Sequence, residues 1–449
     1  MLDINLIREH PEIVKNDLRK RGETELIKKV DEVIELDKKW RETISELNKL
    51  RKRKNEITRE IAKIKKGGGD ATELIKESSS LDEKIHELEK KEEELKKKRD
   101  AILWILPNIL HESVPVGKDD SENVPIRFWG KPRVFKEHLN QFKEQTKGFD
   151  VEFEITEKMP MHHADIVEQF RLADIQRASK TSGSRFYYLK DKLVFLNFAL
   201  IRYGLEFLKE RGFIIMQPPF MVRRFVEEAA TSFGDFEEVI YKIEDEDLYL
   251  IPTAEHAILG YHINEIIDED KLPLKYVGIS PCFRKEAGSH GKDTKGIFRV
   301  HQFEKVEQFV YAKPEESWQI HEELIKNAEE FFQSLGIPYR VVNICTGDIG
   351  SIAAKKYDLE GWFPAQGRYR ELVSCSNCTD YQARRGNIKL RRKDGKVEYL
   401  HTLNSTLVAT ERAICAILEN YLQDDGTILV PKVLRPYTGF DRIEPIEKI

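Results

Sequence analysis

Cysteine is scarce in this chain: five residues (Cys282, Cys345, Cys375, Cys378 and Cys415) scattered through 449. That is too few, and too dispersed, for a disulfide framework. Only Cys375-x-x-Cys378 has a metal-like spacing, and no second pair of cysteines or histidines accompanies it to complete a four-ligand zinc site. Reduced, buried thiols in a strand–turn segment are the expectation. A Walker A loop is also missing, because GKDT at Gly291 lacks the preceding glycine at P-loop spacing. No G-x-G-x-x-G follows a strand-like run, which removes support for a Rossmann dinucleotide fold. No apolar run reaches the length of a bilayer crossing, and the first ten residues are polar, without a signal-peptide pattern. These absences steer the reading toward a cytoplasmic protein with a largely antiparallel α+β body.

What is present starts with size and charge. A chain of 449 residues exceeds one compact core, so two or three domains are expected. Charged residues make up 34%, above the usual quarter, yet the net charge is only -5 and does not by itself advertise a nucleic-acid partner. The average hides a local excess. From Lys49 to Lys66 nine basic residues (Lys49, Arg51, Lys52, Arg53, Lys54, Arg59, Lys63, Lys65, Lys66) face two acidic ones (Glu56, Glu60).

That basic stretch lies within a helical pattern. Apolar residues recur from Val30 through Val33, Leu36, Trp40, Ile44, Leu47, Leu50, Ile57, Ile61 and Ile64, mostly in steps of three and four, with Lys54 interrupting. Gly67-Gly68-Gly69-Asp70 breaks the run. Leu74, Leu81, Leu88, Leu95 and Ile102 then repeat every seven residues, with Ile85 between them. Two heptad-patterned helices joined by a glycine turn predict an antiparallel coiled-coil hairpin with arms of about 50–60 Å. So narrow a seam suits a finger that projects from the body. Its basic residues cluster in the half of the first arm nearest the turn, where they can reach RNA phosphates and 2′-hydroxyls. Pro107 closes the second helix, and a turn-rich linker follows. The domain boundaries read as 1–108 for the helical unit and 109–449 for the body, with the linker at its start.

Within the body, Lys192 to Arg211 predicts a strongly apolar helix stopped by Gly212, and Phe213 to Met216 a strand ending at Pro218-Pro219. The densest chemistry lies between Cys282 and Phe309. Arg284 and Glu286 open it, a glycine-rich basic loop follows, and Arg299, His301, Phe303, Lys305 and Glu307 alternate on the return. Alternation predicts two antiparallel strands joined by a long hairpin loop, with those residues sharing one face. A guanidinium, an aromatic face and carboxylates on one sheet surface suit a nucleotide.

This constellation resembles motif 2 of the class II aminoacyl-tRNA synthetases, and RVHQFEKVEQF is similar to the seryl family in particular. The resemblance runs from MLDINLIREHPEIVKNDLRKRG through SGSRFYYL at Ser182 to VPKVLRPYTGF. It implies an antiparallel class II catalytic domain carrying an N-terminal coiled-coil hairpin, and a serine–tRNA ligase that uses ATP and Mg2+. It implies Arg284 on the α-phosphate, with Lys285 beside it. Glu286 would accept from the adenine amine or order the loop, Phe303 would lie against the purine, and backbone near Val300 at its edge. Glu371-Leu372-Val373-Ser374 reads as β-like, with Glu371 and Val373 on one face and Ser374 beside them. The family's matching Glu and Ser contact ATP and metal. In HTLNSTLVATERAICAILEN, Asn404 or Ser405 is expected to cap a helix that carries Arg412, the motif 3 arginine of the γ-phosphate. Thr253, Ala254, Glu255, Glu307, Asn404 and Thr406 match the family's serine contacts. The arm would bind serine tRNA, and the Lys192–Arg211 helix with its strand resembles motif 1, which implies a homodimer. Rival readings are a ligase loading an amino acid onto a carrier protein, which needs no basic finger, and a non-catalytic synthetase derivative, which needs none of Arg284, Glu371 or Arg412.

Overall fold

The computed structural model describes residues 1–232, 239–286 and 295–446, so most of the predicted hairpin loop lies outside the described residues. The chain divides into two units, Met1–Ile109 and Leu110–Ile449. The first is helical. Asp3 caps α1 (Ile4–Glu9) by accepting from the Asn5 amide at 2.8 Å. Pro11 opens α2 (Pro11–Arg21), and Gly22 ends it at φ 76°, in the left-handed region that an L side chain avoids. Two long helices follow, α3 (Ile27–Lys66) and α4 (Thr72–Ile105), separated by the glycine turn. At 1.5 Å per residue they run about 60 and about 50 Å.

Their seam is only partly apolar. Val30, Val33, Leu47 and Ile57 of α3 and Ile85, Ile102 and Leu103 of α4 are buried, while Leu74, Leu81, Leu88 and Leu95 are half-buried. Ion pairs cross beside this seam: Arg51–Glu89 at 2.7 Å, Arg53–Glu77 at 3.0 Å and Lys54–Asp82. Lys54, which interrupts the apolar pattern, is therefore matched by a partner on the other arm. At the base Asp37 is fully buried and receives Arg8 (2.7 Å), Arg41 and Arg99 (both 3.0 Å). Burial alone would raise its carboxyl, but the hydrogen bonds from Arg8, Arg99 and Arg41 overcome that and lower it. A buried charge fixed from three helices favours one pairing register over slipped ones.

The second unit is built on an eight-stranded sheet. Its strands are β1 (Val124–Trp129), β2 (Ile214–Met216), β3 (Leu274–Phe283), β4 (Gln302–Ala312), β5 (Tyr339–Asn343), β6 (Lys355–Phe363), β7 (Arg368–Asn377) and β8 (His401–Ala409). They run in the order β1-β5-β6-β7-β8-β4-β3-β2, and each neighbouring pair is antiparallel except β3 with β2. Helices α5 (Lys192–Lys209), α7 (Ser317–Ser334) and α8 (Thr410–Tyr421) share one continuous core with the sheet, and α6 (Ala254–Tyr261) belongs to a smaller core with Phe309 and Tyr311. On β4 the even-numbered Val306, Val310 and Ala312 join the large core, which turns Lys305 and Glu307 to the other face. Gly278 on β3 permits α6 to approach: a Cβ there would lie 2.7 Å from Ala254 Cβ. Helix α5 leaves Phe195 and Phe198 more than half exposed, and Ile214 and Ile215 of β2 are also exposed. Among the described residues no helix is long and apolar enough to cross a membrane.

Three local expectations need correcting. The segment from Asn404 is strand, and the helix starts at Thr410. Strand β8 lies between β7 and β4 and is buried on both faces, so it lacks the alternation that marks a strand. On β7, Leu359 pairs with Val373 and Glu360 with Glu371, which leaves Leu372 as a bulge. The bulge separates Glu371 from Val373: Glu371 lines the cleft with Ser374, and Val373 lies in the core. Finally, β3 ends at Phe283 and β4 begins at Gln302, so Arg284, Glu286, Arg299 and His301 lie beyond strand alternation. They are joined by hydrogen bonds instead, Arg284 N to His301 O at 2.9 Å and Arg299 to Glu286 at 2.9 Å.

Candidate functional site

Strands β3, β4, β7 and β8 bring one polar cleft together, with a volume of about 220 Å3. Thr253, Glu255, Glu307, Asn404 and Thr406 lie along it, as do Arg284, Phe303, Glu371, Leu372, Ser374 and Arg412. These residues come from five separate sequence segments. Of the other expected contacts, Ala254 is fully buried in the α6 core and Val300 and Val373 lie in the large core. Lys285 hydrogen-bonds through its backbone to Val239, and Glu286 pairs with Arg299. Their side chains are not among those that line this cleft.

At one end is a small polar pocket. Glu307 is buried, and its Oε2 accepts from Lys305 Nζ at 2.7 Å and from Thr406 Oγ1 at 3.2 Å. Burial raises its pKa, and neighbouring Glu255 adds to the rise against the pull of Lys305. Thr253 caps α6 by accepting from the Glu255 amide at 3.2 Å, which fixes where Glu255 begins its helix. Glu255 in turn accepts from Gln382 Nε2 at 2.8 Å, and Gln382 accepts from Thr402 at 2.7 Å. Asn404 Nδ2 reaches Cys378 Sγ at 3.8 Å. Cys375 and Cys378 are buried thiols outside any disulfide, their pKa values raised by burial, and neither belongs to a metal-like cluster among the described residues. Two carboxylates, a hydroxyl and an amide at this spacing can hold an ammonium and a small hydroxyl together.

The other end is cationic. Arg284 Nε donates to the Pro252 carbonyl at 3.2 Å, and its guanidinium sits 5.2 Å from the centre of the Phe303 ring. Arg412, in the first turn of α8, donates to the Glu371 carbonyl oxygen at 3.1 Å and pairs with its carboxylate at 3.2 Å. It lies 5.0 Å from the centre of the Phe298 ring. Burial would raise the Glu371 carboxyl, but Arg412, Lys356 and Arg284 together pull it below the usual carboxylate range. Two guanidiniums, each against an aromatic face, suit the phosphates and base of a nucleotide.

Sequence reasoning gave no role to three charged residues that line this cleft. Lys305 is buried and neutralises Glu307. Lys356 lines both this cleft and a neighbouring cavity, and Glu411 is a buried carboxyl beside Arg412. Lys305 was legible as part of the alternating strand, but nothing in the sequence signalled Lys356 or Glu411.

Comparison with known proteins finds family matches in two stretches of the chain. Residues 1–110 match the seryl-tRNA synthetase N-terminal domain family, and residues 240–421 match the tRNA synthetase class II core domain (G, H, P, S and T). The serine–tRNA ligase of Pyrococcus horikoshii is 63% identical over 449 residues, which cover 100% of this chain and 98% of that protein. The crystal structure of seryl-tRNA synthetase from Pyrococcus horikoshii complexed with ATP has a TM-score of 0.94 at 62% identity, over 100% of both chains. The cytoplasmic serine–tRNA ligase of Naegleria fowleri in complex with AMP gives 0.83 at 41% identity, over 99% of each. Identity of this depth spans the helical arm and the catalytic body alike, and on that ground the chain belongs to the seryl-tRNA synthetase family.

Proposed function

We propose that the protein is an ATP-dependent serine–tRNA ligase. In the first step a carboxylate oxygen of serine attacks the α-phosphorus of ATP, the bond to the pyrophosphate oxygen breaks, and seryl-adenylate forms. In the second a hydroxyl at the 3′ end of tRNA(Ser) attacks the seryl carbonyl, and AMP leaves. The observation that carries this reading is the polarity of one cleft, with Glu307 and Thr406 at one end and Arg284 and Arg412 at the other. Two anions must meet in the first step, so the work is positioning and charge neutralisation. Arg284 holds the α-phosphate and the charge that grows on it, and Phe303 presents a ring face to the purine. Arg412 meets the terminal phosphates. Glu255 and Glu307 accept from the serine ammonium, and Thr406, Asn404 and Glu307 from and to its hydroxyl. Such a pocket discriminates against alanine because its buried polar groups would be left unpaired.

Mg2+ fits the donors present. The bulge at Leu372 turns the Glu371 carboxylate and the Ser374 hydroxyl to the same cleft, and hard oxygen donors with room for water suit this ion. When bound, the ion would supply positive charge against the phosphates of ATP. The exposed apolar surface of Phe195, Phe198, Ile214 and Ile215 supports a two-fold homodimer through α5 and β2. The basic stretch of α3 supports tRNA binding by the arm, and Lys52, Arg59, Lys63, Lys65 and Lys66 are exposed there. Free buried thiols fit a reducing cytoplasm, where tRNA is found. Serine-dependent ATP–pyrophosphate exchange tested against all amino acids, then charging of tRNA(Ser), is the deciding experiment. Exchange with another amino acid, or none with serine, overturns the reading.

A further inference from the structure

Beside the catalytic cleft, and sharing Lys356, Glu371 and Arg412 with it, lies a larger cavity of about 590 Å3. Strand β6 contributes Lys356, Asp358 and Glu360 to its wall. Residues two apart on a strand share a face, so these three side chains point the same way. Most carboxylates of the cavity are already engaged. Glu360 receives Arg340 at 2.6 Å, Asp348 receives Asn123 at 2.8 Å, and Glu371 pairs with Arg412 at 3.2 Å.

Asp358 differs. It is 5% exposed, and its Oδ1 is buried with no hydrogen-bond partner, the nearest cation being Lys356 Nζ at 3.9 Å. Leaving a buried carboxyl oxygen without a donor is costly, and native folds keep few such atoms. Burial, together with Glu371, Glu360 and Asp348 and against the pull of Lys356, pushes its pKa well up. The position gives the defect a purpose. Asp358 stands directly across the ladder from Ser374, where Cβ atoms of paired residues are about 4.5–5.5 Å apart. A carboxylate, a hydroxyl and the Glu371 carboxylate thus converge from neighbouring strands on the boundary between cleft and cavity. Oxygen donors of this kind, with space for several waters, match a hard divalent cation.

We propose that Asp358 is a third protein ligand, directly or through one bound water, of the divalent cation held by Glu371 and Ser374. The inference rests on the metal assignment made above for those two residues. It explains why the fold keeps an unpaired carboxyl oxygen at the one position across from Ser374, since the cation and its water shell supply the missing partners. Lys356 then stands in as the counter-charge before the cation arrives.

The test uses Mn2+ as a spectroscopic stand-in, with the full-length protein and an ATP analogue whose α,β-bridge cannot be cleaved. Free Mn2+ is counted by electron paramagnetic resonance for the wild type, Asp358→Asn and Glu371→Gln. Asp358→Asn is expected to weaken Mn2+ at least tenfold while affinity for the analogue without metal stays within twofold. Asparagine matches the shape of a neutral aspartic acid, so a carboxyl that is merely buried and protonated predicts no change, and that result overturns the proposal. If Glu371→Gln weakens Mn2+ and Asp358→Asn does not, Asp358 is no ligand and the Glu371–Ser374 assignment stands. If neither variant weakens it, that assignment fails as well. Should Asp358→Asn not fold, the anomalous scattering of Mn2+ in wild-type crystals decides. A peak within reach of one water from Asp358 supports the ligand role, and a peak beyond it refutes the role.

Discussion

Glu411 offers a quantitative test of how the cleft is built. It sits in the first turn of α8, is 2% exposed, and its Oε2 has no hydrogen-bond partner. Its other oxygen, Oε1, lies 3.9 Å from Arg412 Nε. Burial pushes its carboxyl from 4.5 up to about 8, against Arg412 and Arg284 and with Glu304 adding to the rise. The sign of the pH effect follows. Below pH 4.5 the group is neutral in both folded and unfolded chains and costs nothing. Between 4.5 and 8 the unfolded chain releases the proton while the folded one holds it, so stability falls as pH rises. Above 8 both are ionised and the penalty is constant. A gap between 4.5 and about 8 amounts to roughly 5 kcal/mol, of which about 3.5 kcal/mol accrues between pH 5 and pH 8.

Glu411→Gln keeps the shape and removes the titration. Urea unfolding of both proteins at one protein concentration, from pH 5 to pH 9, should show the variant gaining on the wild type by several kcal/mol, with the gain levelling off above pH 8. Serine-dependent pyrophosphate exchange at pH 7 should change little, because the wild-type carboxyl is neutral there too. A stability difference that is flat with pH, or that grows toward acid, refutes the reasoning: Glu411 would then be ionised in the folded protein and paired with Arg412.

Arg284→Ala should lower the exchange rate by roughly 10²–10³-fold with the fold intact, the usual scale for losing one charge contact aimed at the transition state; near-normal exchange would remove Arg284 from the phosphate. Replacing both Phe195 and Phe198 by Glu should convert a dimer to monomer in sedimentation equilibrium at micromolar concentration, and a wild-type monomer would dismiss the interface outright. Arg51 and Glu89 face each other across the arms at 2.7 Å, so a short glycine link in place of residues 51–89 removes the basic stretch and leaves the Asp37 network untouched. Serine activation should persist, while tRNA charging falls steeply and the salt dependence of tRNA binding flattens as fewer counterions are released. Wild-type charging by that variant would reduce the arm to a spacer.

The arm was legible because its signal is local. Heptad spacing and a glycine turn fix two helices within about three residues of the ends found, Ile27–Lys66 and Thr72–Ile105. What the spacing hid was the polar part of the seam. Asp37 reads as a surface charge until Arg8, Arg41 and Arg99 are seen around it, and Arg8 arrives from a helix 29 residues earlier. Of the β3–β4 hairpin, β4 was legible for the same reason as the arm, from the alternation between Phe303 and Glu307, whereas β3 lies almost wholly before the stretch that carries the chemistry. Strand β8 was not. A central strand buried on both faces has no polar side to alternate with, and its apolar residues fall in with the helix that follows.

The site itself turns on two single-residue insertions that no periodicity records. Leu372 bulges from β7, and Leu407 from β8, where Val306 pairs with Val408 and Glu307 with Thr406. Both leucines are buried in the large core. Each insertion reverses the alternation beyond it. Without the first, Glu371 and Ser374 would point to opposite faces of β7, and the carboxylate and hydroxyl could not share a cleft. With the second, Thr406 and Ala409 both line the cleft although they are three residues apart. Strand β8 therefore hands the chain to α8 from the cleft side, and Arg412 enters in the first turn at 3.1 Å from the Glu371 carbonyl oxygen. The apolar weight of two leucines, anchored in the core, thus aims the polar groups of two adjacent strands. Residue types alone identify which side chains can do the chemistry, while the bulges decide which of them meet.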